Sequence, residues 1–174
     1  KIDSNMVAAS DFYEAFYDRF DESGYDFDDD WIRIKQAQTK KMRNFINKKL
    51  SENPKARFLS IGVGTGFIEE PLLNEGFNID LQECQSVSLN YLRNKKITFK
   101  EYITSDLSIL PQEEYDIIFA FGISYCFSYN DYKSLLDSIY GLLVNGGQLI
   151  LNDPNINRPR TNIMAISGNP TPKI

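Results

Sequence analysis

The spacing of hydrophobic residues changes near residue 55. Before that point the rhythm is helical. Phe12, Phe16 and Phe20 recur every fourth residue, with Tyr13 and Tyr17 beside them. Such a stripe predicts a helix with one buried side. Residues 21–30 are acidic and include Gly24, so they read as a loop. Asp30 is placed to cap a second helix that begins near Trp31. Trp31, Ile34, Phe45, Ile46 and Leu50 mark its expected buried side, with Lys and Arg outside and Asn53-Pro54 at its end.

After residue 55, short apolar runs alternate with helical stretches. Strands are predicted at 57–61, 77–83, 97–103, 115–121 and 148–152, and helices at 67–74, 86–94 and 131–144. Gly76 closes the first of these helices. The run 115–121 is short and rich in Ile and Phe, the make-up of a strand buried on both faces. In the last helix Leu135, Leu136, Ile139, Leu142 and Leu143 face inward, and Asn145-Gly146-Gly147 turns the chain into the fifth strand. This alternation predicts an α/β fold with a doubly wound, mostly parallel sheet. Residues 1–54 are expected to pack on it as an N-terminal helical cap, and 55–174 to form the α/β core, one compact domain overall. No internal repeat or low-complexity segment breaks the pattern.

Composition adds exclusions. The 174 residues suffice for one domain and are too few for two ordinary ones. No run approaches a membrane span, and the N-terminal residues lack the basic start, apolar run and cleavage site of a secretory signal. A cytoplasmic protein is the expectation. The first residue is Lys, which leaves room for a segment upstream in a longer chain. A net charge of −5 disfavours polyanionic partners, so no nucleic acid is expected. Cys84 and Cys126 lack metal-ligand spacing and read as reduced thiols in or near the core; no metal is expected. The chain has no His, which removes imidazole bases, Ser-His and Cys-His pairs and His metal ligands together.

The first predicted strand runs into Gly62-Val63-Gly64-Thr65-Gly66 and then a helix. Glycines in such a turn accept positive φ and let a ligand lie against bare backbone, and the following helix start offers unpaired N–H groups. Glu83 ends the next strand, where a carboxylate can accept hydrogen bonds from both hydroxyls of a ribose. Together these features point to an adenosine-containing cofactor. A dinucleotide turn wants G-x-G-x-x-G, but Phe67 stands where its third glycine belongs. No Gly-Lys-Ser or Gly-Lys-Thr follows, so a triphosphate loop is also disfavoured.

At this point the region 58–153 resembles the class I S-adenosylmethionine-dependent methyltransferases, a Rossmann-like family, and within it the small-molecule type. Five segments carry the likeness, in order and in spacing. Phe58-Leu59-Ser60-Ile61-Gly62-Val63-Gly64-Thr65-Gly66 resembles the family's first motif. Glu83 stands where the family has its ribose-binding acid, with Cys84 beside it. Ser105-Asp106-Leu107 is similar to the segment that contacts adenine. Tyr115 to Gly122 resembles the fourth strand, so that Phe121 and Gly122 would floor the site. Leu143-Val144-Asn145-Gly146-Gly147 is similar to the turn before the fifth strand. The resemblance implies S-adenosylmethionine as cofactor, S-adenosylhomocysteine as product, and Ser60, Gly62, Gly64, Thr65, Gly66, Glu83, Cys84, Asp106, Leu107, Phe121 and Gly122 as cofactor-binding residues.

Departures from that pattern carry expectations of their own. The family usually has Asp or Glu at the position of Ser60, where it helps hold the cofactor's ammonium group; a serine keeps a hydrogen bond and loses the charge. Asn145 replaces a common Pro, a small change in a turn. The family adds a sixth strand and an antiparallel seventh, yet 21 residues follow Asp153, many of them Pro, Asn or Gly. One strand at most, around 162–167, is expected there. The sheet would then be incomplete at its C-terminal side: either the sequence is a piece of a longer protein, or another domain or a second copy of the chain completes the sheet.

Methyl transfer from a sulfonium is a displacement that needs alignment and exclusion of water more than acid-base chemistry. The stretch Phe121-Gly122-Ile123-Ser124-Tyr125 lacks the Asn- or Asp-Pro-Pro-Tyr motif of amide and adenine N-methyltransferases. A small-molecule acceptor, methylated on oxygen, nitrogen or carbon, is the leading expectation. Tyr13, Tyr17 and Tyr125 are the candidate catalytic residues; the alternative is that they are packing rings. The acidic segment 21–30 is either a solvated loop or a lure for a cationic acceptor. Asp116 is assigned a structural role at a strand start. Two other functions stay open: a non-catalytic cofactor-binding or scaffold domain completed by a partner, and a nicotinamide-dependent oxidoreductase, which Phe67 disfavours.

Overall fold

The computed structural model describes residues 10–152, apart from the side chains of residues 10, 11 and 125. The strand expected at 162–167 and the completion of the sheet lie outside the described residues. α1 (Ser10–Ser23) carries the Phe12, Phe16, Phe20 stripe and runs three residues into the segment expected as a loop. α2 (Asp29–Glu52) begins two residues before Trp31. Its cap is Asp28, not Asp30: the Asp28 carboxylate accepts the Trp31 N–H at 2.8 Å. Asp30 lies in the first turn and pairs instead with exposed Arg33. The buried side of α2 is Thr39, Met42 and Ile46. Phe45, expected inside, is 42% exposed, because it sits about 100° around the helix from Ile46.

The strands are β1 (Phe58–Ile61), β2 (Ile79–Glu83), β3 (Lys100–Ile103), β4 (Tyr115–Phe121) and β5 (Leu143–Asn152). All neighbours pair in parallel, in the order β3-β2-β1-β4-β5. Between them run α3 (Glu69–Asn74), α4 (Asn90–Asn94) and α5 (Tyr129–Leu142). The doubly wound sheet is therefore as expected. β1 is buried at all four positions, as a central strand covered on both faces must be. One face joins Phe58, Leu81, Ile117 and Phe119 to Met42 and Ile46 of α2 and Leu72 of α3. The other joins Leu59, Ile61, Ile118 and Ala120 to Ile139 and Leu142 of α5.

β2 and β3 start later than the apolar pattern suggests, for one shared reason. Phe77 donates its N–H to the Leu72 carbonyl and Ile97 to that of Leu92, closing the helices before them. Gly76 (φ +88°) and Lys96 (φ +57°) supply the left-handed residue each closure requires. At the other sheet edge, α5 ends at Leu142 rather than at residue 144, and Leu143 and Val144 already belong to β5. Tyr115 faces Leu143 and Ile117 faces Gln148, so Asn145-Gly146-Gly147 forms a bulge inside the strand. At the strand starts Asp116 accepts the Arg57 N–H at 3.0 Å and an Asn53 amide hydrogen at 3.3 Å, a structural role as expected.

Candidate functional site

The strand order reverses between β1 and β4, and in an open parallel sheet the crevice at the carboxyl ends of those strands is where ligands bind. The glycine turn leaves β1 at this place. Gly62, Gly64 and Gly66 all have positive φ, at +63°, +63° and +77°. Their surroundings differ. A Cβ on Gly62 would come within 2.6 Å of Ile123 Cγ2, and one on Gly66 within 2.6 Å of Leu92 Cγ. These two glycines let neighbouring side chains close on the turn. At Gly64 the nearest atom to an added Cβ is the Tyr17 hydroxyl, at 3.1 Å. Gly64 is thus the point where bare backbone faces the cap. Thr65 between them is buried.

Glu83 closes the turn from β2. Its Oε2 accepts the Gly64 N–H at 2.8 Å and its Oε1 the Cys84 N–H at 2.7 Å. Burial raises the Glu83 carboxyl above its usual range, and the backbone N–H bonds from Gly64, Cys84 and Gln85 offset only part of that. Gln82, which the sequence reading passed over, ties three segments together. Its side-chain oxygen accepts the Gly62 N–H at 3.2 Å, and its amide nitrogen donates to the Thr104 carbonyl. An uncharged polar residue inside an apolar strand alternation was the available signal. Cys84 is exposed rather than core, and Cys126 is half-buried.

After β3, Asp106 caps a single turn of 3-10 helix, accepting from the Ser108 N–H at 2.9 Å and its hydroxyl at 2.6 Å. Those bonds hold the exposed Asp106 carboxyl below its usual range. The Leu107 side chain is buried in the core, so any ligand contact of Leu107 falls to its backbone. Phe121 ends β4 half-buried, and Gly122 (φ +68°) donates its N–H to the Asn152 carbonyl at 2.9 Å. Ser124 to Cys126 form one 3-10 turn containing Tyr125, whose side chain lies outside the described part.

α1 closes over this floor. The Tyr13 hydroxyl lies 2.9 Å from Cys126 Sγ, and Tyr13 and Tyr17 stack with centroids 6.3 Å apart. An Asn90 amide hydrogen reaches Asp21 at 2.7 Å, so part of the acidic segment is a docking contact for α1. Phe67 packs against Phe27 and Trp31, at 5.2 and 4.8 Å between centroids. The residue that displaces a dinucleotide glycine therefore joins the cap to the glycine turn.

Ser60 is bonded to an acid from the next helix. Its hydroxyl donates to Glu69 Oε1 at 2.7 Å. Glu69, the first residue of α3, is 2% exposed, and burial raises its carboxyl above the usual range. Its Oε2 is one of two buried side-chain oxygens without a hydrogen-bond partner among the described residues; Gln38 Oε1 is the other. Sequence reading left Glu69 unremarked, because a Glu in a first helical turn ordinarily faces solvent and favours the helix dipole. The signal was its spacing: three residues before buried Leu72, it shares the inward face.

No family model matches the sequence, and none of the curated proteins does. Solved structures do share the fold. A SAM-dependent methyltransferase from Archaeoglobus fulgidus superposes with a TM-score of 0.57 at 18% identity, over 74% of this chain and 57% of that one. A DhpI–SAM–HEP complex gives 0.62 at 14% identity, over 97% and 75%. The DszA carbon methyltransferase gives 0.59 at 17% identity, over 82% and 40%. The chain has the class I Rossmann-like fold of SAM-dependent methyltransferases. It spans 57% and 52% of the length of two of the structures it matches.

Proposed function

We propose that this chain binds S-adenosylmethionine at the carboxyl ends of β1, β2 and β4 and transfers its methyl group to a small-molecule acceptor. The observation that carries the reading is the Glu83 carboxylate, fixed by backbone N–H groups at the lip of a positive-φ glycine turn. Two more features support the fit: a turn whose middle glycine leaves backbone bare beneath α1, and a buried, unpartnered carboxylate oxygen on Glu69, which holds Ser60 next to that turn. The methyltransferases of like fold add to it, among them a glycopeptide N-methyltransferase complexed with S-adenosylhomocysteine.

Bound there, the cofactor supplies a methyl group on a sulfonium, electrophilic without further activation. Glu83 accepts a ribose hydroxyl with the acceptor capacity that the Gly64, Cys84 and Gln85 N–H groups leave free. The segment of Asp106 and Leu107 lies at the end of β3 for the adenine edge, and Thr65 and Gly66 line the start of α3. Phe121 and Gly122 form the floor. Tyr13 and Tyr17 on α1 exclude water from above, the main service this displacement asks of a protein. The net charge of −5 suits neutral or cationic acceptors better than polyanions.

Calorimetric titration with S-adenosylhomocysteine tests the reading. Micromolar binding that Glu83→Ala weakens at least about tenfold is expected from the loss of charge-assisted hydrogen bonds. A folded chain that takes up no ligand overturns it. Methyl release from labelled cofactor in an acceptor screen then separates transfer from binding alone.

A further inference from the structure

The position that loses its acid on β1 has a second acid folded onto it. Ser60 Oγ donates to Glu69 Oε1 at 2.7 Å, so the serine fixes one oxygen of a carboxylate that arrives from α3. The other oxygen, Glu69 Oε2, is buried and has no partner, on a residue that is 2% exposed. A buried carboxylate with one empty oxygen is costly unless something donates to it. The helix is held in place: Thr39 of α2 donates its hydroxyl to the Ile68 carbonyl, at 3.1 Å, immediately before Glu69.

Two charged neighbours define what the missing donor is. Glu69 follows the glycine turn by three residues and holds Ser60 just before it, and Glu83 accepts the Gly64 N–H within it, so both carboxylates border the same turn. Lys35 of α2 also acts on Glu69 through its charge, yet its ammonium stands over the Trp31 ring, 5.4 Å from the centroid. A second orphaned acceptor, Gln38 Oε1, lies one turn along α2 from Lys35. A buried carboxylate oxygen without a donor calls for an N–H group, and two carboxylates at one turn favour a cation.

We infer that Glu69 is the carboxylate that binds the ammonium group of the cofactor, with Ser60 as the residue that positions it. The acid usually expected on β1 is thereby supplied from α3. This rests on the reading of the crevice as an S-adenosylmethionine site.

The test compares two ligands that differ at the amino-acid end. S-adenosylhomocysteine carries the ammonium; 5′-methylthioadenosine keeps the adenosine and sulfur and lacks it. Calorimetry of the whole chain is expected to show Glu69→Gln weakening S-adenosylhomocysteine by about tenfold to a hundredfold while 5′-methylthioadenosine changes less than twofold. Ser60→Ala, which leaves the carboxylate and releases its orientation, is expected to weaken S-adenosylhomocysteine about threefold, again with no change for the other ligand. The double variant Ser60→Asp with Glu69→Gln, which returns the acid to β1, is expected to recover affinity. If Glu69→Gln leaves S-adenosylhomocysteine binding intact, Lys35 is the partner of Glu69 and the inference is overturned. If both ligands weaken alike, Glu69 serves the fold and the inference is again overturned. Should Glu69→Gln not fold, Ser60→Ala decides by the same ligand comparison. Failure of the wild-type chain to bind either nucleoside sinks the cofactor reading itself, a distinct result.

Discussion

At the scale of single residues, the three glycines of the turn look alike in sequence and differ in what surrounds them. Gly66 combines φ +77° with Leu92 carbons where a Cβ would go, and Gly62 meets Ile123 in the same way. Gly64 has the same left-handed backbone, but its nearest neighbour is the end of the Tyr17 side chain. An alanine in the left-handed region costs about 1–2 kcal/mol, and an overpacked core adds about 1–3 kcal/mol. Gly66→Ala is therefore expected to lose about 2–5 kcal/mol in urea denaturation and Gly64→Ala about 1–2 kcal/mol, with Gly64→Ala the more damaging to ligand affinity per unit of stability lost. Equal destabilisation by the two would mean that Leu92 retreats without cost. The need for glycine was legible because backbone chemistry forces it. Which glycines are required by packing was not, because Leu92 and Ile123 arrive from distant parts of the chain.

At the scale of elements, the five strands and three α-helices past residue 55 follow from periodicity, while the 3-10 turns at Ser86–Leu89, Leu107–Ile109 and Ser124–Cys126 do not. Nor do the ends. Phe77 and Ile97 look like strand residues but their N–H groups finish the preceding helices, and an apolar pattern carries no record of which carbonyl a given N–H will find. The same holds for α2, where four acidic residues, Asp26, Asp28, Asp29 and Asp30, compete for one cap. The extended backbone of Asp28 and its bond to Trp31 decide the matter. Asp28→Ala is expected to cost about 1 kcal/mol. Asp30→Ala, which removes only an exposed pair with Arg33, should stay within about 0.5 kcal/mol; the reverse order in thermal melts would restore Asp30 as the cap. A third case lies at the opposite end of the sheet. Tyr115, fully buried, donates its hydroxyl to Asp80 at 2.8 Å, and Arg57 and Lys100 share that carboxylate. Tyr115→Phe should cost about 1 kcal/mol, measured by urea denaturation. A loss of several kcal/mol would mean that Arg57 and Lys100 cannot hold Asp80 alone.

At the scale of the whole molecule, the carboxylates at the two ends of the sheet have different partners. At the strand starts Asp80 and Asp116 are paired with cations, and Asp116 also with a backbone N–H group. At the strand ends Glu69 is buried on the Ser60 hydroxyl and Glu83 is half-buried on backbone N–H groups, with both carboxyls raised above the usual range and desolvation the largest cause for both. Burying a carboxylate this way makes the fold less stable at neutral pH than at a pH where the group is protonated. A pH titration exposes it. A carboxyl whose folded pKa lies above its unfolded value binds protons more tightly in the folded chain. Its burden is absent below about 4.5 and grows as pH rises from there through the folded value. Glu69→Gln removes one such group and leaves the exposed, depressed carboxyls of Glu75 and Asp106 unchanged, so these cancel in the comparison. The variant still buries an unpaired amide, and its absolute stability is not the diagnostic. The diagnostic is the difference from wild type, which should move in the variant's favour as pH rises above about 4.5. Saturating S-adenosylhomocysteine should reverse that trend for the wild-type chain alone, because an ammonium beside Glu69 returns the carboxylate to its charged form. Parallel stability curves for the two proteins without ligand would show that Lys35 and Ser60 already satisfy Glu69, and that the crevice holds no charge in reserve.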